Sequence, residues 1–139
     1  MAKPRVRILI VEDEALVALC AAETLEEAGY EIAGIAADMA EALRLAAAER
    51  PDVALVDLRL NDGLTGPQLT HELYQRYGTV CILLTAYPRE LWSGCHGAWA
   101  RMRKPYRPET LDLVIEYCRE LAAGRQPGGL PPHGVELLT

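Results

Sequence analysis

The residues best suited to chemistry are acids, a hydroxyl and an ammonium that stand where apolar runs end. Glu12 and Asp13 follow the first apolar run, and Asp57 ends the run Ala-Leu-Val-Asp. Thr85 ends another apolar run, and Lys104 follows a weaker stretch that contains Arg101 and Arg103. Taken singly, such an acid is often only a turn residue or a helix start. Five such residues at successive strand ends indicate a site instead.

Phosphoryl transfer is the chemistry that this set predicts. Three carboxylates at one place raise each other's pKa, and Mg²⁺ is the usual ion that relieves this repulsion. A carboxylate can act as the nucleophile and form an aspartyl-phosphate. Asp57 is then the nucleophile, and Glu12 and Asp13 are the metal-binding acids. Lys104 and Thr85 contribute the ammonium and the hydroxyl that contact the phosphoryl oxygens.

The elements that position these residues are predicted as five strands that alternate with helices. Apolar runs predict strands over 5–11, 30–36, 53–58 and 79–85, and a weaker, arginine-studded fifth strand is predicted over 99–103. Helical periodicity follows most of these strands. This alternation predicts an α/β fold, a doubly wound five-stranded parallel sheet with helices on both faces. In such sheets the functional crevice lies outside the carboxyl ends of the strands, so the five residues should meet there.

Composition limits the classes of protein that remain. The 139 residues carry a net charge of −6, which argues against a nucleic-acid partner. No apolar run is long enough to span a membrane, and the first residues do not read as a signal peptide. Four cysteines without paired spacing predict reduced thiols and a cytoplasmic protein. We predict one domain over 1–124 and a Pro/Gly-rich flexible tail over 125–139, without a membrane partner.

The ordered set of motifs resembles the receiver domain of two-component response regulators. It consists of Glu12 with Asp13, then Asp57, Thr85 and the Lys-Pro pair at Lys104, and the resemblance covers roughly residues 5–123. It implies a flavodoxin-like strand order 2-1-3-4-5. It also implies that Asp57 is the phosphoacceptor, that Thr85 is the switch hydroxyl and that Lys104 is the motif lysine.

The resemblance also implies a complete Mg²⁺ site. Glu12 and Asp13 match the acidic pair of the family, and Asp57 itself is a further ligand. The backbone carbonyl of Arg59 matches the third protein ligand of the metal ion.

Two departures from the family pattern concern the end of the sheet. Receivers usually place Tyr or Phe three residues before the motif lysine, and Arg101 stands there in this chain. Because burying an unpaired guanidinium is costly, we predict that Arg101 stays at the surface, solvated or paired to an acid. The segment between Thr85 and Lys104 is short, so helix 4 of the family is expected to be short or missing.

These observations predict a stand-alone, single-domain response regulator rather than an enzyme with other substrates. It would accept a phosphoryl group from a sensor histidine kinase or a phosphotransfer protein. Output would be a changed surface for an unknown downstream protein, or onward phosphorelay, from a monomer or weak dimer.

Three alternative functions fit parts of the sequence. A receiver-like adaptor that acts without phosphorylation is the strongest of them. An aspartyl-phosphate phosphatase usually has its general acid two residues after the nucleophile, where Arg59 stands here. A flavodoxin-like cofactor binder would need a phosphate-cradling first loop, and the acids from Glu12 to Glu14 would repel phosphate.

Overall fold

The computed structural model describes residues 5–63, 65–85, 98–104, 106–129, 131 and 134–137. Strands and helices alternate along most of this chain. The elements are β1 Arg7–Val11, α1 Ala15–Glu27, β2 Glu31–Ala36, α2 Met39–Glu49, β3 Val53–Asp57, α3 Gly66–Tyr77, β4 Val80–Thr85, β5 Ala98–Arg103, α4 Pro108–Ala122 and β6 Val135–Leu137.

The strands form one sheet in the order β2-β1-β3-β4-β5-β6. The first five run parallel, and β6 pairs antiparallel with β5. The predicted doubly wound parallel sheet and its order 2-1-3-4-5 are therefore confirmed, with boundaries that shift by one or two residues. Because the five strands are parallel, their carboxyl ends lie at the same edge of the sheet.

Helices cover both faces of the sheet, which explains why the central strands are apolar throughout. One core layer joins the sheet to α1 and α4 through residues such as Leu25, Leu111 and Val114. The other joins it to α2 and α3 through Ala46, Leu69 and similar side chains. All five residues of β3 are buried, so the strand that ends at the candidate nucleophile is fixed from both sides. None of the helices in the described part of the chain is both long and apolar enough to cross a membrane.

Local sequence signals account for the helix ends. The side chain of Asp38 accepts a hydrogen bond from the backbone N–H of Glu41 at 2.9 Å and so caps the start of α2. The carboxylate of Glu41 reaches back to the N–H of Ala37 at 3.0 Å. Helix α3 has Pro67 in its first turn and ends at Gly78, whose φ of 67° suits glycine.

The structure corrects one expectation about the tail. Residues 125–139 were predicted to be flexible, yet Val135–Leu137 forms β6 and extends the sheet beyond β5. The expectation is wrong for these three residues because the strand is held by pairing with β5, which periodicity within the tail does not reveal. The expectation that helix 4 of the family is short or missing concerns residues 86–97, which lie outside the described part of the chain.

Candidate functional site

Three carboxylates meet at the carboxyl end of the sheet, as the sequence predicted. Glu12 and Asp13 follow β1, and Asp57 ends the neighbouring strand β3. One oxygen of each lies within 4.8 Å of the others. Glu12 and Asp57 are buried and Asp13 is partly exposed. Such a set of hard oxygen ligands, with one open side, suits a divalent cation such as Mg²⁺.

Lys104 follows β5 and contacts two of these carboxylates at the same edge of the sheet. Its Nζ donates to Glu12 Oε1 and to Asp57 Oδ2, at 2.9 Å in both cases. The second oxygen of Asp57 accepts a longer bond of 3.3 Å from the backbone N–H of Arg59. Asp57 is therefore oriented from two directions, although 11% of its side chain is exposed.

Strand pairing explains why Lys104 reaches residues so distant in sequence. The backbone N–H of Lys104 donates to the carbonyl of Thr85 at 2.8 Å, so β5 stays in register with β4 up to its last residue. Asp57 lies opposite Leu84 in the pairing of β3 with β4. Thr85 is buried one residue further along β4. The structure thus brings together the five residues that sequence reasoning placed at the strand ends.

The electrostatics of the site follow from burial and these contacts. Burial lowers the pKa of the Lys104 ammonium, but its hydrogen bonds to Asp57 and Glu12 outweigh burial and raise the pKa above the ordinary value. Burial and then the neighbouring Glu12 raise the pKa of the Asp13 carboxyl. A cation bound between Asp13 and Glu12 would reduce the repulsion between the two carboxylates by stabilising both negative charges.

Gly66 is a site residue that the sequence analysis missed. A Cβ at this position would lie 2.5 Å from the carbonyl oxygen of Asp57 and 2.8 Å from the Cα of Leu58. Both atoms belong to the backbone and cannot move aside as a side chain could. The first turn of α3 therefore packs directly on the end of β3, and the missing side chain allows this. In the sequence, Pro67 indicates that a helix starts here, but no local pattern indicates that this helix start lies so close to the end of β3.

Tyr106 is a second residue whose place became clear only in the structure. It is partly buried and lines a small cavity together with Glu12, Val17 and Leu84. Burial raises the pKa of its hydroxyl, and the charges of Lys104, Glu12 and Asp57 also act on it. In the sequence, its position two residues after Lys104 indicates that it lies near the site.

Arg101 lies where the sequence predicted, partly exposed and paired to an acid. Its guanidinium forms an ion pair with Glu136 of β6, and 18% of its side chain is exposed. The prediction of a surface position with an acidic partner is confirmed.

Comparison with known proteins identifies a family for this fold. The family model of the response regulator receiver domain matches residues 8–116. This span covers most of the chain and every one of the five site residues. The chain therefore belongs to the response regulator receiver domain family.

Individual relatives support the same family. The chain is 33% identical over 110 residues to the phyllosphere-induced regulator PhyR of Methylorubrum extorquens, a match that covers 78% of this chain and 41% of PhyR. It is 36% identical over 131 residues to the transcriptional regulatory protein PdtaR of Mycobacterium tuberculosis, a match that covers 88% of this chain and 62% of PdtaR. The chain thus spans less than two thirds of either relative.

A solved structure with a similar fold is the signal receiver domain of a modulated diguanylate cyclase from Desulfovibrio desulfuricans G20. The TM-score is 0.76 at 29% identity, and the match covers 86% of this chain and 98% of that domain. The match thus extends over nearly the whole of that receiver domain.

Proposed function

We propose that this chain accepts a phosphoryl group on Asp57 from a phosphohistidine of a sensor histidine kinase or phosphotransfer protein. The phosphorylated chain would signal through a changed protein-binding surface or pass the group on. The observation that carries the proposal is the position of Asp57, a carboxylate at the end of a buried strand with Lys104 2.9 Å away. Both relatives are regulators by name, which agrees with a signalling role.

The proposed step needs few groups from the protein. A carboxylate oxygen of Asp57 attacks phosphorus, the new O–P bond forms as the P–N bond of the phosphohistidine breaks, and the leaving imidazole nitrogen takes up a proton. Lys104 stays charged because its pKa is raised, so its ammonium can contact a phosphoryl oxygen as charge develops there. Thr85 ends the neighbouring strand, where its hydroxyl would donate to another oxygen of the phosphorylated state.

Mg²⁺ fits the donor set of the site. Asp13 and Asp57 would bind it directly, Glu12 would act through water, and the backbone carbonyl of Arg59 would complete the protein ligands. When bound, the ion neutralises charge on the transferring phosphoryl group. The side chains of Lys104 and Thr85 would orient the phosphoryl group, and the Lys104 ammonium would supply the remaining positive charge.

Labelling the chain with acetyl phosphate or a phosphorylated kinase tests the proposal. Labelling should require Mg²⁺ and disappear with EDTA, since three carboxylates would otherwise repel the incoming phosphate. The product should survive acid and hydrolyse in base, as an acyl phosphate does. Labelling that persists in EDTA, or a base-stable product, would contradict the proposal.

Replacing Asp13 by Ala should weaken Mg²⁺ binding more than replacing Glu12 by Ala. Glu12 is already engaged by Lys104 and by the backbone N–H of Glu14, so it is placed to act through water. We expect a loss of roughly tenfold or more for the Asp13 variant and a smaller loss for the other. Calorimetric titration measures both, and equal losses would contradict the assignment.

Replacing Lys104 by Arg should slow phosphorylation by about tenfold or more although the positive charge is kept. A planar guanidinium cannot reproduce the single point at which the ammonium contacts Glu12 and Asp57 together. The matched control is Arg103→Lys, the reverse exchange at the exposed neighbouring side chain. Rates are compared by labelling time courses. An unchanged rate in Lys104→Arg would remove Lys104 from the mechanism.

A further inference from the structure

The outer edge of β5 is covered by a short strand from the same chain. Ala100 pairs with Leu137, Arg101 with Glu136 and Met102 with Val135, in antiparallel register. The backbone N–H of Arg103 donates to Gly134 at 3.2 Å, and the next N–H along the chain donates to β4 instead. Amides alternate in direction along a strand. The N–H of Arg101 therefore also points toward β6, whereas those of Ala100 and Met102 point toward β4.

The side chains of β6 match the edge in a simple pattern. Val135 and Leu137 pack against the core layer that contains Ala100 and Met102. The residue between them, Glu136, points to the opposite face, where its carboxylate pairs with the guanidinium of Arg101. The edge thus accepts an apolar, an acidic and an apolar residue in succession. The arginine at the position where the family has an aromatic residue supplies the charge.

The attachment of β6 is small enough to be exchanged. The strand has three residues, and each of them is only partly buried. It is connected to α4 by a segment that contains Pro127, Pro131 and several glycines, a composition typical of a tether rather than of packed structure. Such a tether holds a strand at an effective concentration on the order of 1 mM, so a partner that binds more tightly can replace it.

We propose that the outer edge of β5 is a docking site for an extended segment of a partner protein, and that β6 occupies this site in the free chain. The partner segment would carry an acid between two apolar residues, and it would bind by adding a strand to the sheet in place of β6. The net charge of the chain is −6, so attraction for an acidic segment must be local. Arg101 and the exposed Arg103 provide it at this edge. This proposal does not depend on phosphorylation.

Amide hydrogen exchange of the full chain, read residue by residue by NMR, tests the proposal. In Glu136→Arg the new side chain repels Arg101, and exchange of the Arg101 and Arg103 amides should rise at least about tenfold. The amides of Ala100 and Met102 should keep their protection, which verifies that the sheet remains folded. The matched control is Glu120→Arg, which makes the same charge change in another ion pair, that of Glu120 with Arg125.

A peptide with the sequence of residues 134–139 is the probe for docking. Added at about 1 mM to the Glu136→Arg chain, it should restore protection of the Arg101 and Arg103 amides, whereas the same peptide with Arg in place of its Glu should not. The proposal is overturned if those amides exchange equally in wild type and Glu136→Arg, if the peptide gives no protection, or if both peptides protect alike. The edge could instead bind a second copy of the chain. Protection of these amides in the wild type that rises with protein concentration, together with the mass of a dimer, would show this and would also overturn the proposal.

Discussion

Replacing Asp57 by Asn is expected to abolish phosphorylation and to leave the fold intact. The amide of Asn is not a nucleophile toward phosphorus, so labelling should fall by more than about 100-fold. The oxygen of Asn can still accept from Lys104, which donates to Asp57 at 2.9 Å in the wild type. The substitution also removes one of three mutually repelling charges, so a large loss of stability is not expected.

The matched control for this experiment is Asp52→Asn. Asp52 immediately precedes β3, at the opposite end from Asp57, and its carboxylate accepts from the backbone N–H of Arg7. The Asp52→Asn substitution makes the same chemical change next to the same strand, away from the site. Labelling should be retained in the control and lost in the Asp57 variant. Retained labelling in the Asp57 variant would place the phosphoryl group elsewhere.

Replacing Gly66 by Ala is expected to destabilise the domain although helix propensity alone predicts a gain. Alanine in place of glycine within a helix gains up to about 1 kcal/mol. Here the added Cβ would lie 2.5 Å from the Asp57 carbonyl oxygen, and only backbone movement can relieve that contact. Overpacking of this kind costs roughly 2 to 3 kcal/mol, so the steric effect outweighs propensity.

For a domain of this size the expected fall in Tm is roughly 5 to 10 °C. Because the displaced atom belongs to Asp57, labelling should slow as well. Gly128→Ala is the matched control, since no atom lies within 4 Å of the added Cβ there. Thermal unfolding of the three chains measures the difference. A Tm equal to that of the wild type would mean that α3 can move away from β3 without cost.

Most of the sheet could be predicted from the sequence because each central strand is an apolar run that ends at a polar residue. The carboxyl-end rule for parallel sheets then predicts that Asp57, Thr85 and Lys104 lie close together. Strand β6 could not be predicted in this way. Its three residues lie in a Pro/Gly-rich segment, and their strand conformation depends on pairing with β5, including the contact between Arg101 and Glu136.

The finer geometry of the site could not be predicted from the sequence either, because it depends on contacts between different elements. The position of Gly66 against the carbonyl of Asp57 is a contact between a helix start and a strand end. The double contact of Lys104 with Glu12 and Asp57 likewise depends on the register of four strands, β1, β3, β4 and β5. Residue types can indicate which groups belong to a site, but distances between elements are set by packing.

The most direct test of phosphoryl acceptance is to map the modified residue. The chain is phosphorylated in the presence of Mg²⁺ and reduced with borohydride, whose hydride converts an acyl phosphate to an alcohol with release of phosphate. The product is then digested and sequenced by mass spectrometry. We predict homoserine at position 57 and unmodified acids at Glu12, Asp13 and Asp62. Homoserine at Asp13 or Asp62, 2-amino-5-hydroxypentanoic acid at Glu12, or no reduced residue anywhere in a labelled chain would contradict the account.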